Sequence, residues 1–275
     1  MTPEKFRSLV WKHYRMHGRH DLPWRKTSDV YKVIVSEVML QQTQVDRVMP
    51  FYKKFIKQFP TVSKLAKAPL SDVLKAWQGL GYNRRAKLLR EATQKLVSTR
   101  PSVTRSNLVT DVLVARLEEL PGVGPYTARA VAAFAFNEDV IVIETNIRTA
   151  VMHHFFPRKK KVSDTEIEKI LAKVLPKGEA RGWYSALMDY GAYLKRSGIS
   201  HNARSTTYTR QSKFPGSLRE ARGAILRELA KGSRSKKQIA ELLGSGRSEQ
   251  MLRALAALRA DGLVRTGRGR YALPF

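Results

Sequence analysis

The sequence predicts an all-α fold with a small winged helix-turn-helix-like unit appended at residues 216–275. Three observations lead there. Apolar residues recur at three-to-four-residue spacing through most of the first 195 positions. The β-branched run in that region, Val140 to Ile143, is short and reads as a buried extended link, not part of a sheet. The polar stretch from Lys195 to Gly216, rich in Ser, Thr, Asn, Arg and Gly, then separates this helical body from a series of helix and hairpin signals.

The elements follow in order. Phe6, Leu9, Val10 and Tyr14 define a first helix that stops at Gly18. Residues 30–58 are apolar-periodic, and Pro50 is expected to open a second helix within them. Leu65 to Ala68, Leu70 to Trp77 and Arg84 to Val97 follow, punctuated by Pro60, Pro69, Gly79 and Gly81. Asp111 to Leu120, Tyr126 to Phe136, Asn146 to Phe155, Glu166 to Val174 and Trp183 to Leu194 complete the first body. No repeat with a period of 20–50 residues is visible, which excludes a repeat array. In the C-terminal unit, Ala221 to Leu229 is a helix, and Lys236 to Leu243 a second one behind Ser233 or Ser235 as its cap. Gly244-Ser-Gly turns the chain into a third, Ser248 to Arg259. Leu263-Val264 and Tyr271-Ala-Leu flank a hairpin tip of Gly and Arg. That order is the order of a winged helix; a generic three-helix interaction module is the alternative.

Charge indicates the partner. Lys and Arg number 51 against 23 Asp and Glu in 275 residues, a net charge of +28. Such an excess suits a polyanion, and nucleic acid is the commonest. No run approaches the ~18 apolar residues of a membrane span, and the N-terminus lacks a signal-peptide core. Absence of cysteine excludes disulfides, thiol nucleophiles, thiolate zinc sites and cysteine-ligated iron–sulfur clusters. A cytoplasmic, nucleoid-associated monomer without membrane contact is the expectation.

Two glycine turns carry the binding signal. In Leu120-Pro-Gly-Val-Gly-Pro-Tyr-Thr-Ala, Gly122 and Gly124 leave the backbone amides around Val123 and Thr127 clear at a helix start. Amides so placed donate to a phosphate oxygen, and with helices on both sides the segment reads as a helix-hairpin-helix clamp. In Trp77-Gln-Gly-Leu-Gly-Tyr-Asn-Arg-Arg-Ala, the Tyr82 ring stands beside Arg84 and Arg85, which suits stacking against an unpaired base. A Tyr packed into the core is the bland alternative. The hairpin arginines Arg265, Arg268 and Arg270 suit phosphate or minor-groove contact. With 13 Lys and Arg against five acids, residues 216–275 are expected to anchor the protein on flanking duplex.

Two acids carry the chemical signal. Glu37 follows Val33-Ile-Val-Ser on an otherwise apolar face, where burial would raise its pKa toward that of a general acid. Glu144 closes Val140-Ile-Val-Ile and precedes Thr145-Asn146, so it is expected to cap the next helix. For each acid a cap or an ion pair is the simpler reading.

Leu22-Pro-Trp-Arg, Ser36-Glu-Val-Met-Leu-Gln-Gln-Thr-Gln-Val, Gly79-Leu-Gly-Tyr, the Leu120–Ala128 string, Ile143-Glu-Thr-Asn-Ile and Ala186-Leu-Met-Asp-Tyr-Gly-Ala occur together in this order. Across roughly residues 5–195 the chain thereby resembles the helix-hairpin-helix glycosylase superfamily, and within it the MutY-type adenine DNA glycosylases. The resemblance implies a two-lobed fold: a six-helix barrel over residues 24–130, and a second lobe from residues 1–23 and 131–211. It implies that Glu37 protonates a flipped-out base and later helps to activate water, with Asn146 supporting the centre. Tyr126 takes the position where bifunctional relatives of endonuclease III type carry a Schiff-base lysine, which implies a monofunctional enzyme. Trp24, Arg25 and Leu40 map onto the base pocket. Gln42, with Gln41 beside it, and Tyr82 map onto the residues that wedge into the stack of double-stranded DNA at a mismatch or damaged base and hold the opposite strand.

Four departures accompany the match. Glu144 stands where the family has an aspartate that stabilises the sugar cation. Ser185 stands where many members place a Gln or Glu against the adenine edge. Lys195 stands at the first of four cluster cysteines, all absent. A winged-helix candidate replaces the domain that recognises 8-oxoguanine. The expected reaction is hydrolysis of the N-glycosidic bond of adenine opposite guanine or 8-oxoguanine, with no metal and no iron–sulfur cluster, although hairpin carbonyls could hold a monovalent cation. Excision of thymine or uracil opposite guanine, or of an alkylated or otherwise damaged base, is one alternative. A non-catalytic DNA-binding protein is the other.

Overall fold

A computed structural model describes residues 1–98, 110–209 and 213–275. The helices in chain order are α1 (Pro3–His17), α2 (Val30–Leu40), α3 (Val45–Gln58), α4 (Val62–Lys67), α5 (Leu70–Ala76), α6 (Arg84–Ser98), α7 (Thr110–Glu118), α8 (Pro125–Val131), α9 (Thr145–Phe155), α10 (Asp164–Val174), α11 (Ala180–Arg196), α12 (Leu218–Leu229), α13 (Lys236–Ala240) and α14 (Ser248–Ala260). Strands β1 (Arg234–Ser235), β2 (Arg265–Gly267) and β3 (Arg270–Ala272) belong to the C-terminal unit. The protein is all-α with a winged-helix addition.

Local chemistry explains most of the boundaries. Thr2 caps α1 by accepting from Lys5 N, and Ser163 and Glu166 form a reciprocal capping box on α10. Of the two serines offered as caps for α13, Ser235 is the one used, in a capping box with Gln238. Pro50 does not open a helix. It lies inside α3, which starts five residues earlier, in the second turn where only one intrahelical bond is lost. Val140 to Ile143 forms no strand; the Tyr184 hydroxyl donates to Val140 O (2.7 Å) and accepts from Val142 N (3.2 Å), doing what a neighbouring strand would otherwise do.

The described residues group into two compact units. The first comprises Met1–Glu37, Val103–Glu119 and Val123–Arg210. Its core includes Phe6, Ile147, Met152, Trp183, Tyr184 and Leu187, each fully buried and each contributing roughly 1.5–3 kcal/mol of transfer free energy. Gly191 in α11 lets α9 approach very closely: a Cβ there would lie 2.0 Å from the Asn146 carbonyl oxygen.

The second unit comprises Val38–Ser102, Leu120–Gly122 and Gln211–Phe275. Phe55, Trp77 and Leu89 form part of its core, and Ile225, Met251 and Leu258 fix α12 against α14. The sheet order is β1-β3-β2, all antiparallel, with Arg234 opposite Tyr271 and Thr266 opposite Tyr271 on its other side. β1 is the strand that sequence periodicity missed, because two residues cannot show a period. The C-terminal segment docks onto residues 70–87 through specific bonds. Phe275 O accepts from Leu70 N (3.1 Å), Asp261 O from Lys87 Nζ (2.8 Å), and Leu226 O from Gln78 Nε2 (3.4 Å). This grouping differs from the expected division at residue 130, since residues 24–37 and 123–130 cluster with the first unit.

Candidate active site

Glu37 lies in α2 within the first unit, and is 6% exposed. Burial, together with the negative charge of Glu144, pushes its carboxyl up to about 7; a hydrogen bond with Tyr126 and the charge of Arg25 act in the opposite direction. The apolar stretch preceding Glu37, with Val33, Ile34 and Val35 almost wholly buried, supplies the dry surroundings. A carboxylic acid balanced near neutral pH both donates and, once ionised, accepts a proton.

Tyr126 sits in the first turn of α8. As a residue it is about one third exposed, but its hydroxyl reaches inward to Glu37. Burial, then the charges of Glu37 and Glu144, raise the phenol well above its ordinary value, so it stays a neutral hydrogen-bonding group. Glu144 is the N-cap of α9. Its Oε1 accepts from Asn146 N and Ile147 N (both 2.8 Å), and its Oε2 accepts from Thr145 Oγ1 (3.1 Å). One carboxylate thus both caps α9 and acts electrostatically on Glu37. The cap fixes it at the N-terminus of α9.

The first unit therefore brings together Glu37, Tyr126, Glu144 and, through its backbone amide, Asn146. Arg25 and Ser185 are placed differently from their expected roles in a base pocket. The Arg25 guanidinium is bidentate on Asp189 (2.7 and 2.9 Å) and also donates to the Arg19 and Ser185 carbonyls (3.1 and 3.3 Å). Ser185 is buried, and its hydroxyl is turned back onto the Arg181 carbonyl of its own helix (2.8 Å). Trp24 is buried in a short 3-10 turn, Pro23–Arg25, that carries Arg25.

Asp189 is the residue the sequence reading did not single out. Burial alone would raise its carboxyl, but hydrogen bonds and charge from Arg25 and Arg19 outweigh that and hold it below the usual range. Arg19 also gives it a backbone N–H (2.8 Å) and its Nε (2.6 Å). The signal available was the string Met188-Asp-Tyr-Gly, an acid in an otherwise apolar helix stretch.

The second unit holds Leu40, Gln41, Gln42, Tyr82, Arg84 and Arg85. Arg85 is not a phosphate contact. It is buried, and its guanidinium donates to the carbonyls of Val38, Met39 and Gln41 (2.7, 3.1 and 2.6 Å), satisfying the C-terminal end of α2. Burial lowers its pKa to about 10. Arg84 remains 66% exposed. Gln42 and Tyr82 both have left-handed backbones (φ 55° and 47°) and face one cleft of about 390 Å³.

The helix-hairpin-helix turn runs from α7 to α8. Gly122 is left-handed (φ 78°), and a Cβ there would come within 2.8 Å of Leu88 Cβ, so glycine is required. Gly124 is the N-cap of α8, with Val123 and Thr127 buried on either side of it. Among the hairpin arginines, Arg265 lies over the Phe275 ring (3.8 Å) and donates to Leu273 O, while Arg270 donates to Ser233. Arg268 sits at the tip with φ 47°.

The segment after α11, where the resembled family has its cysteine ligands, contains no thiolate. It is held by a bridge between Val162 and Ser205, by Arg204 donating to the carbonyls of Phe156 and Lys159, and by Thr207 donating to Asp164 (3.3 Å). Those donors do not fit an iron–sulfur cluster. Among the described residues no group of three or more His, Asp or Glu is arranged to hold a metal.

Residues 35–177 match the family of HhH-GPD superfamily base excision DNA repair proteins. An adenine DNA glycosylase from Mycolicibacterium smegmatis is 37% identical over 277 residues, covering 94% of this chain and 92% of that protein. One from Mycobacterium tuberculosis is 34% identical, covering 97% and 92%. A thermostable thymine-DNA glycosylase shares the fold with a TM-score of 0.56 at 24% identity, covering 69% of this chain and 86% of that one. The chain belongs to the HhH-GPD superfamily of base excision DNA repair proteins. Both adenine glycosylase matches extend well into residues 216–275, so the C-terminal unit is shared with these relatives and is not peculiar to this chain.

Proposed function

We propose that this protein is a monofunctional DNA glycosylase that hydrolyses the N-glycosidic bond of adenine flipped out of a mispaired duplex. The carrying observation is Glu37: a buried carboxyl with a pKa of about 7, bonded to the Tyr126 hydroxyl and facing the charge of Glu144. Protonated Glu37 gives its proton to N7 of the extruded adenine, which makes the base a better leaving group. The C1′–N9 bond then breaks and leaves an oxocarbenium-like sugar. The Glu144 carboxylate, fixed by the α9 amides, stabilises that positive charge. Ionised Glu37 takes a proton from water as the water oxygen bonds to C1′. The products are free adenine and an abasic site, and Glu37 returns to its starting state. Neither a metal nor an iron–sulfur cluster has a part in these steps. Tyr126 offers no amine for an imine at C1′. The names of the mycobacterial relatives support adenine as the base; the thymine glycosylase likeness supports the fold alone.

A panel of duplexes, each with one adenine, thymine, uracil or alkylated base opposite guanine or 8-oxoguanine, tests this reading. Strand scission should occur with adenine and only after alkali, and borohydride should trap no covalent complex. Scission at thymine or uracil in preference to adenine would replace the substrate. An efficient borohydride trap would replace the monofunctional mechanism, with Lys195, which lies within the electrostatic reach of Glu144, as the first amine to examine.

A further inference from the structure

In the first unit, the turn between α9 and α10 carries Arg158, Lys159, Lys160 and Lys161 in succession, all exposed. Lys159 pairs with Glu166 of α10, and among the described residues it is the only one of the four in an ion pair. The segment that follows α11 holds the turn at both ends. The Arg204 side chain donates to the Lys159 carbonyl through Nε (2.8 Å) and to the Phe156 carbonyl through Nη2. The Arg204 carbonyl accepts from Val162 N (2.9 Å), and Thr206 N donates to Val162 O (3.2 Å). Nη1 of the same guanidinium donates to His201 Nδ1 (3.2 Å), which leaves the Nε2–H of that ring to face His153 Nδ1 (3.4 Å).

The arrangement runs against electrostatics. Arg204 adds a further cation to a run of four and sets it beside two imidazoles. Burial first, then the charges of Arg204 and His153, hold His201 below its ordinary value, so the ring adds little charge of its own at neutral pH. Like charges gathered and pinned in this way repel one another in the free protein, and a bound anion would offset that repulsion. The cations are also of a particular kind. Lysine is depleted at protein–protein interfaces, which rest on aromatic and Arg anchors. This run follows Pro157 and has no aromatic or aliphatic residue between its charges. Phosphate contacts from Lys and Arg position a nucleic acid without reading its sequence, and they ask for no such anchor. Helix α9 sets the distance. Glu144 caps its N-terminus and the basic turn follows its C-terminus, so its 11 residues separate them by roughly 16 Å, at ~1.5 Å per residue. At ~3.4 Å per base pair, that span corresponds to about five base pairs of flanking duplex.

We propose that the turn at residues 158–161 is an additional docking surface for duplex DNA. It holds the phosphate backbone of one flank, about five base pairs from the excised base, and Arg204 is the positioning residue that shapes it. Arg204 acts from beneath this surface, with its guanidinium committed to backbone carbonyls and to His201. The inference rests on the glycosylase reading only for where along the duplex the excised base lies.

The test uses the full-length protein and three variants, each first shown to melt cooperatively near the wild-type temperature. One combines Arg158→Gln, Lys160→Gln and Lys161→Gln. The second is Arg204→Lys, which keeps the charge but loses the planar fork that spans two carbonyls. The third, a control, combines Lys169→Gln, Lys173→Gln and Lys177→Gln, and so removes the same charge from exposed positions toward and beyond the far end of α10. Affinity for a duplex with a tetrahydrofuran abasic analogue is measured across a series of salt concentrations. The flanks are about 12 base pairs on both sides, or about four on one side and 12 on the other, so that a contact five pairs out is kept or lost. On the long duplex, the first variant should lower the slope of log affinity against log salt by about 2–3, at ~0.9 per lost phosphate contact. Arg204→Lys should lower it by about 1 or more with no change in net charge. Both deficits should vanish when one particular flank is shortened, because the wild type then loses the same contacts. Single-turnover excision at saturating protein should stay at the wild-type rate. A wild-type slope in the first variant or in Arg204→Lys would overturn the proposal. So would an equal fall in the control, which is the signature of net charge alone, or a deficit that persists whichever flank is shortened. If the wild-type protein excises no base while the flank-dependent deficit remains, the glycosylase reading fails and the duplex contact stands.

Discussion

Glu37 and Asp189 are both carboxylic acids buried in the first unit, 6% and 3% exposed, yet they titrate in opposite directions. Asp189 is met by two guanidiniums and a backbone amide, and its carboxyl is held below its ordinary range. Glu37 is met by a neutral phenol and by the like charge of Glu144, and is raised to about 7. Burial is the largest influence on both. The partner decides the sign, and with it what each can do: Asp189 is a fixed charge that secures structure, whereas Glu37 is left able to exchange a proton near neutral pH, as the proposed function requires.

The largest effect expected from breaking this contrast is at Asp189. Asp189→Ala leaves Arg25 buried beside Arg19 with no counter-charge, and should cost about 3–5 kcal/mol of stability. Urea unfolding would measure it. A loss under ~1 kcal/mol would show that the pair contributes no more than an exposed one.

Glu144→Gln keeps an oxygen to cap α9 but removes the charge. Single-turnover excision should fall ~100-fold, as for the loss of one electrostatic contact to a developing charge. The pH at which Glu37 loses its proton should move downward, since the charge that raised it is gone. A drop in rate without that move would separate the two carboxylates.

A smaller effect is expected on thermal stability. Because the Glu37 pKa is raised on folding, its contribution to stability is fully present below the ordinary value of 4.5 and is lost as pH rises through about 7. Glu37→Gln should therefore melt higher than wild type at pH 8 by more than it does at pH 4. Equal differences at both values would mean that Glu37 titrates normally in the folded protein.

The same contrast explains what could be read from the chain. Glu37, Tyr126 and Glu144 were legible because each lies in a short contiguous string, and the cap at Glu144 follows from its place just before a helix. Asp189 lies in such a string too, but its role is set by Arg25, 164 residues distant, and no local pattern records that meeting. Arg85 and Ser185 show the converse. Their residue types suited DNA and base contact, but type does not give direction, and both turn inward to backbone carbonyls. Helix existence was legible throughout from apolar spacing. The start of α3 was not, since Pro50 is tolerated one turn further in than the first position it favours.

On the proposed function, Glu37 is the general acid and works because its pKa is raised. The direct measurement is the single-turnover rate of adenine excision from pH 5 to 9, for wild type and for Glu37→Gln. Wild type should hold its rate at acid pH and decline as pH rises through about 7. Glu37→Gln should be at least ~100-fold slower at pH 6 and show no such limb. A wild-type rate that is flat across pH 7, or near-wild-type excision by Glu37→Gln, would contradict the account.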